Sequence, residues 1–129
     1  MNHHESNIYS LLCNWHRINV EKRFIEAKTH VSSSQTKDHL DLISSALTML
    51  ESWMQLLSDD ERYVIKRHLL DGIAWRHIVY EYNVKLIRSK TKSLSSLRRM
   101  QRQTIARIAL HTQGQEKEVE HAISTILSG

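Results

Sequence analysis

The stretch LSDDERYVIKRHLLDGIAWRHI, residues 57–78, decides the fold of this chain. Ser58 stands three residues before Glu61, which is the spacing of a capping box, where each side chain bonds the backbone N–H of the other residue. Apolar residues then recur at helical spacing as far as Leu70. Gly72 follows, and glycine is the usual residue where a helix ends in a left-handed conformation. The stretch therefore predicts a capped helix over residues 58–70.

Similar apolar spacing on both sides of this stretch predicts further helices and no clear strand. The predicted fold class is all-α, a helical bundle. The predicted helices cover residues 8–18 (with the pattern continuing to Ile25), about 38–57, 58–70, 75–82, about 91–111 and 119–127, with a loop at 32–37 and left-handed breaks at Gly72, Asn83 and Gly114.

Composition excludes several classes of protein. The chain has 129 residues, no proline, three glycines and a single cysteine, Cys13. Sandwiches and barrels need more turn residues, and glycine-rich phosphate loops are absent. The nine histidines form no HExxH or Cys/His ligand pattern. We therefore expect no metal, no cofactor and no enzymatic activity. Because the sequence has neither a long apolar run nor a secretory signal, we also expect no membrane association and a cytoplasmic location.

Positive charge is concentrated in one segment. Residues 82–115 contain eight Lys or Arg and no acid, whereas residues 1–81 contain nine Lys or Arg and eleven acids. A solvated helix face normally mixes both signs, because like charges repel. A long acid-free segment therefore indicates a polyanionic partner, and nucleic acid is the partner that we favour.

The helices predicted at 58–70, 75–82 and about 91–111 have the proportions of a helix-turn-helix unit. At 100° per residue, the third helix has an apolar side and a basic side, so one side suits a core and the other a major groove. Lysines and arginines before the helix suit phosphate contacts, and those on it suit base contacts. The candidate DNA-binding residues are Lys85, Arg88, Lys90, Lys92, Ser95, Ser96, Arg98, Arg99 and Arg102.

The residues from Leu57 to Ile65 and from Asp71 to Ile78 resemble the fourth conserved region of bacterial sigma factors. They look closest to the sigma-like late transcription activators of phages and prophages, the ArpU and RinA types. The resemblance covers about residues 50–108, and it implies that the helix carrying Ser95 and Arg99 is a recognition helix. The connection between Tyr82 and the third helix is longer than the usual turn, and no promoter-melting region is visible. The resemblance thus implies a regulator rather than a complete sigma factor.

We therefore expect a sequence-specific regulator of transcription that binds double-stranded DNA. Residues 1–57 would form an N-terminal segment for dimerisation or for binding RNA polymerase, residues 58–113 the DNA-binding unit, and residues 114–129 a C-terminal helix. Two alternatives stay open: a phage DNA-packaging protein of the small-terminase kind, and a protein-interaction module that binds RNA polymerase without touching DNA.

Overall fold

A computed structural model describes residues 1–28, 34–85 and 90–127. Within these residues every secondary-structure element is a helix, which confirms the predicted all-α class. The helices are α1 (His3–Cys13), α2 (Trp15–Lys28), α3 (Ser34–Gln55), α4 (Asp59–Ile65, continuing as a π-helical turn, Lys66–Leu70), α5 (Trp75–Tyr80, continuing as a π-helical turn, Glu81–Lys85), α6 (Leu94–His111) and α7 (Glu116–Ala122, continuing as a π-helical turn, Ile123–Leu127).

The predicted helix signals around α4 are confirmed. The Ser58 hydroxyl accepts a hydrogen bond from the backbone N–H of Glu61 at 3.3 Å, and the Glu61 carboxylate accepts one from the backbone N–H of Ser58 at 2.9 Å. Gly72 and Gly114 have φ angles of +67° and +90°. Glycine adopts this left-handed region without the Cβ clash that other residues meet.

Several predicted boundaries were wrong. Helix α3 begins at Ser34, so residues 34–37 of the predicted loop are helical. The first predicted helix is interrupted at Asn14, whose side-chain amide donates to the carbonyl of Ser10 at 2.7 Å. The helix that follows Trp75 continues through Asn83 to Lys85 instead of ending at Asn83. Serine, threonine and asparagine at these boundaries have weak intrinsic preferences, and they adopt the state that their surroundings favour.

The main core joins the two ends of the chain. Helix α1 packs against α6 and α7, and α3 packs against α2 and α7. Their apolar sides, with Ile65 and Leu69 of α4, form one buried cluster: Ile8, Leu11, Leu12, Ile18, Ile43, Ala46, Leu47, Leu50, Trp53, Leu57, Ile65, Leu69, Ile105, Ile108, Ala109, Val119, Ala122 and Ile126. The C-terminal half of α6 therefore packs into the main core, where it is contacted by α1 as well as by α4.

A second, smaller core holds α4, α5 and α6 together. Val64, Ile78, Tyr82 and Leu97 are buried in it, and Trp75 packs against them half-buried. The first turns of α6 rest on this cluster through Leu97, whereas Ile105 belongs to the main core. Helix α6 thus spans both cores. Within the described ranges, no helix is both long and apolar enough to cross a bilayer.

Candidate nucleic-acid interface

Helix α6 begins at a side-chain cap. The hydroxyl of Ser93 accepts a hydrogen bond from the backbone N–H of Ser96 at 3.1 Å. Ser93 itself has the extended backbone typical of a capping residue, with φ −74° and ψ 165°. The helix was predicted from about residue 91, and the Ser93 cap sets its first residue at Leu94.

A single asparagine fixes the chain just before this cap. The Asn83 side-chain amide donates to the carbonyl of Lys92 at 2.8 Å, and its oxygen accepts from the backbone N–H of Lys92 at 2.7 Å. One side chain thus satisfies both main-chain polar groups of Lys92, as a neighbouring strand would. The contact ties the end of α5 to the start of α6, with a separation of nine residues in sequence.

The exposed side of α6 is basic near its N-terminus. Ser95, Arg98, Arg99 and Arg102 are exposed, whereas Leu97 and Gln101 face the protein. None of the three arginines forms an ion pair with any residue that the structure describes. An exposed guanidinium without a carboxylate partner keeps its five donors available for a ligand.

The other predicted site residues lie around this side of α6. Lys85 is exposed at the end of the α5 π-turn, and Lys90 is exposed on the approach to α6. Lys92 is half-buried. Ser96 is also half-buried, and its hydroxyl oxygen accepts from the Ser93 hydroxyl at 3.1 Å, so it belongs to the cap more than to the exposed side. Arg88 lies outside the described residues.

Arg107, the remaining cation of the acid-free segment, contacts the protein itself. Its Nη2 donates to Glu61 Oε1, and Thr104 Oγ1 donates to Glu61 Oε2 at 3.1 Å. Burial raises the pKa of Glu61, but the hydrogen bonds from Arg107 and Ser58 outweigh it and lower the pKa to about 2. The capping box of α4 is thereby joined to α6, and Arg107 is unlike the three unpaired arginines.

The second core is enclosed by a polar network between α4 and α5. Arg67 bonds Asp71 at 3.0 Å and Glu81 at 2.9 Å, and the Tyr63 hydroxyl donates to Glu81 at 2.7 Å. Burial and this bond raise the pKa of Tyr63 to about 12. Hydrogen bonds from Arg67 and Tyr63 hold the pKa of Glu81 below its ordinary value. These contacts fix the angle at which α5 leaves α4.

Sequence reasoning missed a second link between the three helices. His68 stacks on Trp75, with ring centroids 4.0 Å apart, and its Nδ1 lies 2.7 Å from Gln101 Oε1. Gln101 lies on the apolar side of α6, between Leu97 and Ile105, and it is buried there. A polar residue at a core position was the available signal, because a buried amide requires a partner.

Comparison of the chain with protein families, with curated proteins and with solved structures finds no significant match. The described residues contain no group of three or more His, Cys, Asp or Glu side chains that could hold a metal ion. The geometry of α4, α5 and α6 is therefore the basis for the proposal that follows.

Proposed function

We propose that this chain is a sequence-specific regulator of transcription that inserts α6 into the major groove of double-stranded DNA. The observation that carries the proposal is the exposed set of Arg98, Arg99 and Arg102, which have no carboxylate partner in the described parts of the chain. A major groove admits one α-helix, and arginine bonds the guanine edge through two parallel hydrogen bonds.

The position of these side chains along α6 supports a division of roles. Ser95 and Arg99 lie in the first two turns, four residues apart, and therefore on one side of the helix. Recognition helices contact base edges mainly through their N-terminal residues. Lys85 and Lys90 lie outside α6 and are exposed, which suits contacts with flanking phosphates. We assign base reading to the first pair and positioning to the two lysines.

The arrangement of α4, α5 and α6 supports a helix-turn-helix assignment. A capped helix is followed by a left-handed glycine, a short helix and a longer basic helix, and the three share a small core. The resemblance to the fourth region of sigma factors supports the transcriptional part of the proposal. In this proposal, the exposed sides of α1, α2 and α3 would bind RNA polymerase or another copy of the chain.

Selection of genomic fragments bound by the purified chain, followed by footprinting, tests the proposal directly. If the exposed cations other than Arg99, namely Lys85, Lys90, Arg98 and Arg102, meet phosphates, log affinity should fall with log salt at a slope of about −3 to −4. A slope near zero, or no binding at low salt, would instead favour a module that binds protein.

A further inference from the structure

Helix α2 carries large apolar side chains that are exposed and belong to neither of the two cores. Val20 and Phe24 are 63% and 59% exposed, and their spacing of four residues places them on one side of the helix. Ile18 is the buried residue that α2 contributes among its described positions. The Lys28 ammonium group lies over the ring of Phe24, with Nζ 4.1 Å from the ring centroid.

Three cations flank this apolar pair. Arg17 and Arg23 are exposed on α2 and form no ion pair with described residues, and Lys28 is exposed as well. We call Arg17, Val20, Arg23, Phe24 and Lys28 the α2 face. Its composition, apolar in the centre and basic at the edge, is that of an interface that meets an apolar, acidic partner.

A groove of matching composition lies between α3 and α7. It has a volume of about 250 Å³, and its walls include Leu42, Ala46, Met49 and Ala122. Glu118 lines it from the α7 side and is exposed. Asp38 is exposed one helical turn before Leu42 on α3, so a second carboxylate stands at one end. Neither carboxylate forms an ion pair with described residues.

We propose that the α2 face of one copy binds the α3–α7 groove of a second copy, with Phe24 entering the groove and the α2 cations facing Asp38 and Glu118. The two surfaces are complementary in both polarity and charge. They cannot meet within one chain, because α2 packs along α3 through its opposite side, where Ile18 and Ile25 join the core. An apolar centre with charged edges gives specificity through the charges and affinity through the buried ring.

The test compares the full-length chain with single-surface variants, by analytical ultracentrifugation without DNA. Phe24→Asp replaces the apolar centre of the α2 face with a charge, and Ser45→Arg places a cation in the groove, which Ser45 lines. Because Phe24 and Ser45 are exposed, both variants should keep the wild-type unfolding temperature. We expect wild type to self-associate across the micromolar range and each variant to be monomeric. The control Val84→Asp, at another exposed apolar position, should associate like wild type.

Mixing the two variants gives the decisive measurement. Each mixture contains one intact α2 face and one intact groove, on different copies, so a one-to-one complex should form although neither variant associates alone. A monomeric wild type, an unaffected Phe24→Asp, or a mixture that stays monomeric would overturn the proposal. If either variant unfolds, Arg17→Glu with Arg23→Glu reverses the charge at the edge of the α2 face and leaves Val20 and Phe24 in place, and it should weaken association at least tenfold. Since no DNA is present, the result is independent of the proposed regulator function.

Discussion

The carboxamide of Asn83 holds both main-chain polar groups of Lys92, donating to the carbonyl at 2.8 Å and accepting from the N–H at 2.7 Å. This contact spans the connection between α5 and α6. It places the start of α6 relative to the core formed by Val64, Ile78 and Leu97. The position of the exposed arginines therefore depends on a residue that is not itself a candidate DNA contact.

Substituting Asn83→Asp keeps the size and the acceptor of this side chain but removes its donor. The Lys92 carbonyl then faces a carboxylate instead of an N–H, and we expect a loss of about 1–3 kcal/mol in the free energy of unfolding. Denaturant titration measures the loss. The matched control is Asn19→Asp, because the Asn19 side chain forms no hydrogen bond with the residues described. Equal stability of the two variants would contradict a structural role for the Asn83 contact.

Much of the helical skeleton follows from short-range sequence signals. The Ser58 and Glu61 capping box and the left-handed glycines at 72 and 114 are encoded within a few residues, so their spacing predicts them. The contact of Asn83 with Lys92 is different. Asparagine has local preferences for turns, and only the packed arrangement of α5 and α6 decides that this one is helical and bonds a residue nine positions away.

In the candidate site, too, some features follow from the sequence and others depend on tertiary packing. The basic, acid-free segment and the side of α6 that Arg99 and Arg102 occupy follow from composition and helical periodicity. The pairing of Arg107 with Glu61 does not, because the two residues are 46 positions apart and meet only when α4 packs on α6. Which cation in a basic segment is available to a ligand is therefore a tertiary property.

Glu61 should make the stability of the fold sensitive to acid. Its pKa is lowered from 4.5 to about 2, so its contribution is complete above pH 4.5 and is lost as pH falls towards 2. At neutral pH we expect Glu61→Gln to lower the free energy of unfolding by about 2 kcal/mol. This is less than the pKa shift of Glu61 implies, because its partner Arg107 is half exposed and solvent screens the pair.

Denaturant unfolding of Glu61→Gln and wild type at neutral pH and near pH 2 measures this contribution. The difference between the two proteins should shrink as the Glu61 carboxylate becomes protonated in wild type. Glu51→Gln is the control, since Glu51 is exposed and forms no ion pair with described residues. A difference that stays constant over this range would argue against ionisation as its source.

Trp75 should contribute strongly to the core shared by α4, α5 and α6. Its ring stacks on His68 and packs against the buried cluster around Ile78. If the ring were completely buried, Trp75→Ala would lower the free energy of unfolding by about 3–5 kcal/mol. Because the ring is half-buried, we expect a loss at the lower end of that range. Thermal unfolding followed by circular dichroism measures the loss. Tyr80→Ala on the same helix, where the ring is 55% exposed, should change stability by no more than about 0.5 kcal/mol.

Arg99 and Lys85 should differ in what they contribute to DNA binding. Both are exposed, but Arg99 lies on α6 and Lys85 lies before it, at the end of the α5 π-turn. If Arg99 bonds a guanine edge, Arg99→Ala should cost about 1–3 kcal/mol on the selected site and relax the preference at one base position. Lys85→Ala should weaken binding to all sequences equally and reduce the salt slope by about 1. Binding of both variants to a panel of single-base site variants separates these effects.

Arg107→Ala serves as a control on the same helix, because its guanidinium is paired with Glu61 and its loss should leave base preference unchanged. Identical profiles for Arg99→Ala and Lys85→Ala would remove the distinction between a reading and a positioning residue, and a change of base preference in Arg107→Ala would move the reading surface to the other side of α6.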